Sequence, residues 1–350
     1  MERQQASICF FNNKGGVGKT TLACNVASYI AQHEGMSVLI IDADPQCNAT
    51  QLVLPDEVTT EIYRSSNSQI DSLKTILDPI AAGDASLKGS VRPATPQTNR
   101  FGVNLLPGHP QVALLEDLFS SNWTGFIGGG LGGARVSNWN TQLLKTLKTQ
   151  YDLIVYDVGP SLGALNRCVL IGVDYFIAPM GCDIFSLIGI ENIANWLQRW
   201  QDNYAPAIER CQKDYPGQVE KFQIKTKPTQ MSRFLGYTVQ QYITKTIRAE
   251  RRATGAYEAI LKEIPNRIEE SLVNLVADGL DPKALHLGDV PHMFSLVPLA
   301  QTSHAPIHGL TSADGLSGGQ YAQQADYRKF IADLSKALLR NLRASKDGAK

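Results

Sequence analysis

The segment of this sequence best suited to chemistry is a glycine-rich loop that contains two lysines. Residues 13–21 read NKGGVGKTT, between a predicted strand at 7–11 and a predicted helix at 20–33. Glycines let successive backbone N–H groups point toward one anion, and the positive N-terminus of a following helix strengthens that attraction. Lys19 would reach the β- and γ-phosphates of a nucleotide, and the Thr20 hydroxyl would bind Mg²⁺. The loop therefore predicts a nucleotide site rather than an ordinary glycine turn.

Three aspartates follow predicted strands and could serve such a site. Nucleotide hydrolysis needs a carboxylate that organises Mg²⁺ and a polar group that orients the attacking water. Asp42 and Asp44 come directly after the apolar run at 37–41, and Asp157 ends the run at 151–157 in the Walker B form. The carboxyl ends of parallel strands are where open α/β sheets bind ligands. The alternative for the first pair is a helix cap without a catalytic role.

These motifs resemble those of the deviant Walker A ATPases, the ParA/MinD family, and most of all its ParA/Soj-like partition ATPases. The family pattern K-G-G-x-G-K-[ST]-[ST] is matched at every position of 14–21. The run D-x-D-P-Q-x-N-A-T at 42–50 resembles switch I of ParA, and D-x-x-P-S-L-G at 157–163 resembles its switch II. The chain departs from the family at Cys47, where glycine is usual, and at 158–159, where Val-Gly replaces Thr-Pro.

The resemblance implies an enzyme that converts ATP to ADP and phosphate with Mg²⁺ and forms a homodimer in its ATP state. Lys14 would contact the nucleotide of the partner subunit across a sandwich dimer, and Asp44 would position or activate water. The Mg²⁺ site would consist of Thr20, Asp42 and Asp157. The ATP contacts would be Lys14, Gly15, Gly16, Val17, Gly18, Lys19, Thr20, Thr21 and, from a segment that resembles the adenine-side loop of ParA, Pro298.

A basic cluster further along the chain suggests a DNA partner. Lys245, Arg248, Arg251 and Arg252 lie at a predicted helix start, where spacings of three and four place three of them near one face. Such a cluster could hold DNA phosphates. ParA proteins bind DNA without sequence preference through basic residues in their C-terminal half. The alternative is an ordinary solvated helix face.

The resemblance leaves three classes of biological role open. The first is partition or positioning of DNA, or of a DNA-bound complex, with hydrolysis activated by a protein partner. The second is a MinD-like switch that recruits a protein partner or a membrane without DNA. A third class with the same fold, the ATP-using ligases of the dethiobiotin synthetase type, would need a closed small-molecule pocket. The amphipathic helix predicted at 325–342 could target a membrane, but a packing role is favoured.

The spacing of these motifs requires an alternating α/β framework. Apolar runs of strand length alternate with stretches of helical period, which predicts a P-loop NTPase fold with a mainly parallel twisted sheet and helices on both faces. One domain is expected over residues 1–350, and a glycine cluster at 125–133 is interpreted as a flexible connection. Insertions are expected near 57–100, 203–232 and 265–291. Further strands are predicted at 103–106, 175–179, 234–242 and 294–297, and further helices at 140–148, 184–200 and 248–262.

Composition restricts the partners and the cellular compartment that the protein can have. The 350 residues are 43% hydrophobic, which suffices for a large core, and 33 Lys and Arg balance 33 Asp and Glu. A surface that attracts nucleic acid or an anionic membrane would therefore be local. The six cysteines are scattered without a C-x-x-C pair, and the sequence shows neither a signal segment nor an apolar run long enough to span a membrane. These features predict a soluble, cytoplasmic protein for which no membrane partner is expected.

Overall fold

Seven parallel strands form the central sheet. The computed structural model describes residues 5–65, 68–240, 244–247, 250–253 and 255–347. Its strands are β1 (Ala6–Phe10), β2 (Val38–Asp42), β3 (Asn104–Leu106), β4 (Leu153–Asp157), β5 (Tyr175–Gly181), β6 (Arg233–Gln240), β7 (Thr244–Ile247), β8 (Glu250–Ala253) and β9 (His286–Val290). The sheet order is β3-β2-β4-β1-β5-β6-β9, with parallel pairing throughout, while β7 and β8 form a separate antiparallel hairpin. The predicted α/β fold with a parallel sheet is confirmed.

Burial on both faces explains why the central strands read as continuous apolar runs. Every residue of β1, β2 and β4 is buried. Because side chains alternate between the faces of a sheet, Cys9 of β1 joins one core cluster, whereas Ile8 and Phe10 join the other. Parallel strands covered by helices on both sides require such sequences.

Helices cover both faces, as predicted. In the described part of the chain they are α1 (Lys19–His33), α2 (Asn48–Val53), α3 (Asp56–Arg64), α4 (Leu73–Ala81), α5 (Glu116–Ile127), α6 (Leu131–Ser137), α7 (Trp139–Leu147), α8 (Ala164–Gly172), α9 (Ile184–Asp214), α10 (Gln218–Lys221), α11 (Gly255–Leu272), α12 (Leu296–Thr302) and α13 (Gln320–Asp347). Helices α1 and α13 pack on the face that carries Ile8, and α5, α7, α8 and α9 pack on the face that carries Cys9.

The last helix, α13, packs against the core. Leu334, Leu338, Leu339 and Leu342 lie along one side of it and are buried, which confirms the packing role favoured for its apolar stripe. None of the helices within the described ranges has the length and apolar character required to cross a membrane.

The strand predicted at 294–297 is wrong. The last strand of the sheet is β9, and the apolar run that suggested a strand leads into α12 instead. Because β9 lies at the sheet edge, it tolerates Gly288 and Asp289, which hide its strand character. Pro298 is the third residue of α12, a position where the missing N–H costs no helical hydrogen bond.

The helix predicted at 248–262 begins later than expected. The described residues before it form the paired strands β7 and β8, and α11 runs from Gly255 to Leu272 through Pro265. Of the segments expected as insertions, 57–100 contains most of α3 and all of α4, while 203–232 contains the end of α9 and α10. The segment 265–291 supplies β9 of the central sheet.

The glycine cluster at 125–133 is not a flexible connection. It joins α5 to α6, and both helices extend into it. A Cβ atom placed on Gly133 would lie 2.6 Å from the backbone nitrogen of Phe126 and would collide with the carbonyl of Asn122. The glycines therefore serve close packing of two helices, which a composition rule for loops does not distinguish from flexibility.

Candidate nucleotide site

The glycine loop connects β1 to α1 at the carboxyl edge of the sheet, as the sequence predicted. Gly16 and Gly18 have φ values of 73° and 71°, a left-handed conformation that favours glycine. A Cβ atom on Gly15 or Gly16 would meet nothing within 4 Å, so the loop has open space beside it. The Asn12 side chain donates to the Pro179 carbonyl at 2.7 Å and accepts from the Lys14 N–H at 3.0 Å, which anchors the loop to β5.

Lys19 lies within this loop, with its side chain buried. Its Nζ donates to the carbonyl of Lys14 at 2.8 Å, so the ammonium group folds back over the loop. Burial lowers the pKa of Lys19, and the charges of Asp157 and Asp44 oppose that shift. An ammonium held in this position can exchange one carbonyl for phosphate oxygens of a bound anion.

Thr20 and Asp157 form the pair expected of a Mg²⁺ site. The Thr20 hydroxyl donates to Oδ2 of Asp157 at 2.7 Å. Oδ1 of Asp157 is buried and accepts no hydrogen bond from any described residue. Burial raises the pKa of Asp157 well above its usual range, and Asp42 adds to the rise. A buried carboxylate oxygen without a partner fits a cation ligand, so these residues fit Mg²⁺.

Asp42 has a second role that the sequence did not reveal. It lies beside Asp157 in the pairing of β2 with β4. Its Oδ2 accepts from the backbone N–H and the hydroxyl of Thr50 at 2.8 and 2.6 Å, and its Oδ1 accepts from the Asp44 N–H at 3.2 Å. Burial raises the pKa of Asp42 to about 6. Asp42 therefore ties switch I and α2 to the sheet, in addition to its predicted place near the metal.

Asp44 faces the same space from switch I. It is 7% exposed, and its Oδ1 accepts from the Gln46 N–H at 3.0 Å. Gly159 of switch II lies directly against it, since a Cβ atom on Gly159 would be 3.1 Å from Oδ1 of Asp44. The glycine that departs from the family pattern thus leaves room for Asp44 beside switch II.

Lys14 is held by a residue that sequence analysis missed. Its Nζ forms an ion pair with Asp183, which also caps α9 by accepting from the Ser186 N–H at 3.2 Å. An aspartate before an apolar helix is a recognisable cap signal, but nothing local links it to a loop 169 residues earlier. Lys14 therefore points toward the start of α9 rather than across its own loop.

Gln240, the last residue of β6, is a second missed residue. Its buried side chain touches Gly18 so closely that a Cβ atom there would collide with its amide oxygen. Its Nε2 finds no partner among the described residues. Gly18 is thus favoured by its left-handed backbone conformation, and a larger residue there would also displace the Gln240 amide.

A cavity of about 840 Å³ is lined by the glycine loop, Lys19, Thr20 and Asp44, a volume suited to a small-molecule ligand. Pro298 lies inside α12 and is not among the described lining residues; Gln301 and Thr302 at the end of α12, and His304 just after it, form this part of the wall instead. His304 is fixed there by a hydrogen bond between its Nδ1 and the Gln51 carbonyl at 2.9 Å. The lining also includes Gly15, Gly16, Gly18, Lys19, Thr20, Thr21, Asp44, Gln46, Asn48, Gln51, Leu52, Asp56, Val158 and Pro160.

The predicted DNA cluster has a different geometry from the one expected. Lys245 lies in β7 opposite Arg252 of β8, and Arg251 lies opposite Thr246. Arg248 is outside the described residues. The three described basic residues thus belong to the strands of a hairpin and not to one helix face, because tertiary context overrides a spacing rule that holds only for helices.

The parallel sheet, the glycine loop and the Thr20–Asp157 pair together define a P-loop NTPase. The family model described as an AAA domain, AAA_31, matches residues 5–210. With this match and the relatives below, the chain belongs to the ParA/MinD family of P-loop ATPases.

Individual relatives agree with this assignment. The chain is 28% identical over 204 residues to the chromosome partitioning protein ParA of Myxococcus xanthus, a match that covers 58% of this chain and 61% of that protein. Protein DIP2308 from Corynebacterium diphtheriae is 34% identical with a TM-score of 0.69, covering 85% of this chain and 97% of that chain. The pnob8 ParA structure is 19% identical with a TM-score of 0.58, covering 97% and 98%, and it supports the fold alone.

Proposed function

We propose that this protein is a ParA-like ATPase that hydrolyses ATP to ADP and phosphate and acts in partitioning or positioning a DNA cargo. The observation that carries the proposal is a single cavity that contains Lys19, Thr20 and Asp44, with Asp157 bonded to Thr20 behind it. The matched region spans about three fifths of the curated relative's length. That relative is named a chromosome partitioning protein, which supports the proposal that the cargo is DNA.

The residues of the cavity have separable tasks. The loop N–H groups and Lys19 bind the β- and γ-phosphates, and Thr20 and Asp157 hold Mg²⁺. Mg²⁺, when bound, neutralises charge on the phosphate oxygens. Asp44 accepts a hydrogen bond from the attacking water and orients it toward the γ-phosphate. Asp42 keeps switch I in place through Thr50. Hydrolysis ends the ATP state.

Dimerisation in the ATP state is part of the proposal. An apolar patch at the start of α9 supports it: Ile184, Phe185 and Ile188 are 55%, 67% and 45% exposed. The patch follows Asp183 directly, and Asp183 holds Lys14. Exposed apolar side chains clustered on one surface are typical of contact sites. A second copy on this surface would let Lys14 exchange Asp183 for the partner's nucleotide.

The Lys14→Ala variant tests the dimer. We expect it to remain monomeric in ATP under conditions where the wild type is dimeric, because its contact is made across the interface. Hydrolysis should fall roughly 10-fold or more, with the ATP affinity of the monomer nearly unchanged. Size-exclusion chromatography with light scattering and a phosphate-release assay measure both effects. Lys283→Ala, which removes an exposed lysine, is the control. The same dimer and the same turnover as wild type would refute the role.

DNA binding by the ATP form is the finer part of the proposal. A dimer carries two hairpins, so weak phosphate contacts would add and affinity should rise with ATP. The Arg251→Glu, Arg252→Glu double variant should bind all DNA sequences more weakly. The slope of log K for DNA association against the logarithm of salt concentration should become less steep by roughly 2 to 4. Gel-shift titrations at several salt concentrations with ATP, ADP and no nucleotide measure this.

A matched control carries the same charge change elsewhere. Lys329 and Lys336 are exposed on α13, and the Lys329→Glu, Lys336→Glu variant should keep wild-type binding and salt slope. If DNA binding is absent or equal in all three nucleotide states, a switch that recruits a protein partner without DNA becomes the better account of this ATPase.

A further inference from the structure

The helix that follows switch II begins without a cap of its own. Its N-cap residue is Gly163, which has no side chain to accept from the first N–H groups of α8. A carboxylate from another element replaces the cap. Glu116, the first residue of α5, accepts from the Ala164 N–H through Oε1 and from the Leu165 N–H through Oε2, the latter at 3.0 Å.

The surrounding residues are arranged for this contact. A Cβ atom on Gly163 would collide with Glu116 and would lie 2.9 Å from its carboxyl carbon, so a larger residue at this position would displace the carboxylate from the start of α8. A negative charge is favourable at a helix N-terminus. Arg167, one turn into α8, places its guanidinium carbon 4.5 Å from the ring centroid of Trp123 in α5. Helices α5 and α8 are therefore tied at two points.

The capped turn continues into the catalytic segment. Asn166 in α8 donates through Nδ2 to the carbonyls of Gly159 at 2.8 Å and Ser161 at 2.6 Å. Gly159 in turn lies against the carboxylate of Asp44. The position of the first turn of α8 therefore determines where switch II lies relative to Asp44.

We propose that Glu116 is a positioning residue for ATP hydrolysis, which acts by fixing the start of α8 and, through Asn166, the placement of switch II beside Asp44. This inference rests on the proposed ATPase function. Glu116 is not among the described residues that line the cavity, so it acts through other residues rather than on the nucleotide. ATP affinity, which depends on the glycine loop and Lys19, should not require it.

The test compares Glu116→Ala and Glu116→Gln with Asp117→Asn as the control. Asp117 is the exposed neighbour of Glu116. Glu116→Ala should lower kcat roughly 10- to 100-fold, with the ATP Kd from calorimetry within about threefold of wild type. Glu116→Gln keeps one acceptor oxygen, so its kcat should lie between those of Glu116→Ala and wild type. It also tests the proposal if Glu116→Ala does not fold. Asp117→Asn should match wild type.

Hydrogen exchange provides a second measurement that needs no turnover. In protein without nucleotide, the amides of Ala164 and Leu165 should exchange about 10-fold faster in Glu116→Ala than in wild type, as expected for a lost helix cap. Unchanged kcat in a folded Glu116→Ala variant would overturn the proposal, and so would unchanged exchange. A wild-type protein that binds but does not hydrolyse ATP would instead refute the ATPase function, whereas the exchange result would still report whether Glu116 holds α8.

Discussion

In the Lys19→Ala variant, tight ATP binding is expected to be lost. The Lys19 ammonium is buried in the loop and already directed over it by the Lys14 carbonyl. Loss of one partner from a buried, hydrogen-bonded charge pair costs about 2–5 kcal/mol. The glycine N–H groups and the N-terminus of α1 would remain, but they carry only partial charges. The Kd for ATP should therefore rise roughly 100-fold or more.

Isothermal titration calorimetry with ATP and Mg²⁺ measures the change directly. Lys283→Ala again removes one exposed positive charge and should keep the wild-type Kd. Circular dichroism should show that Lys19→Ala is folded, because Lys19 lies in the loop at the carboxyl edge of the sheet and not in either apolar core cluster. If the folded variant binds ATP as tightly as wild type, the glycine loop is not the phosphate site.

The sequence predicted the centre of the sheet and the phosphate side of the site for one physical reason. Strands buried on both faces must be apolar throughout, so β1, β2 and β4 stand out as runs that end at the loop, at Asp42 and at Asp157. The carboxyl edge of a parallel sheet then brings these ends together. Asp44 lies in the cavity for the same reason.

What the sequence did not show depends on contacts between distant segments. Glu116 caps a helix 48 residues later, and Asp183 holds a lysine 169 residues earlier. No period or local motif encodes such pairs. The edge strand β9 was missed because edge strands need not be apolar. The β7–β8 hairpin was missed because the spacing of its basic residues also fits a helix. The apolar run before α12 was ambiguous, since a short run is compatible with either a strand or a helix.

Asp44 is the residue whose loss should separate ATP binding from hydrolysis. Its carboxylate lies between switch I and Gly159 of switch II, whereas the proposed phosphate and Mg²⁺ ligands, Lys19 and Thr20, belong to α1. Removing Asp44 therefore leaves the ligands of the ground state in place. It removes the only group assigned to orient water, an effect confined to the chemical step.

We expect Asp44→Ala to bind ATP with a Kd within about threefold of wild type while hydrolysis falls roughly 100-fold or more. Because hydrolysis ends the ATP state, the ATP-bound dimer of this variant should persist for far longer than that of wild type, as followed by size-exclusion chromatography after excess ATP is removed. The control is Asp56→Ala, which removes another carboxylate that lines the cavity, near His304, and should hydrolyse ATP at a rate close to wild type. Hydrolysis by Asp44→Ala at the wild-type rate would assign the orientation of water to another residue. Loss of ATP binding would instead show that Asp44 supports the nucleotide-bound structure rather than the chemical step.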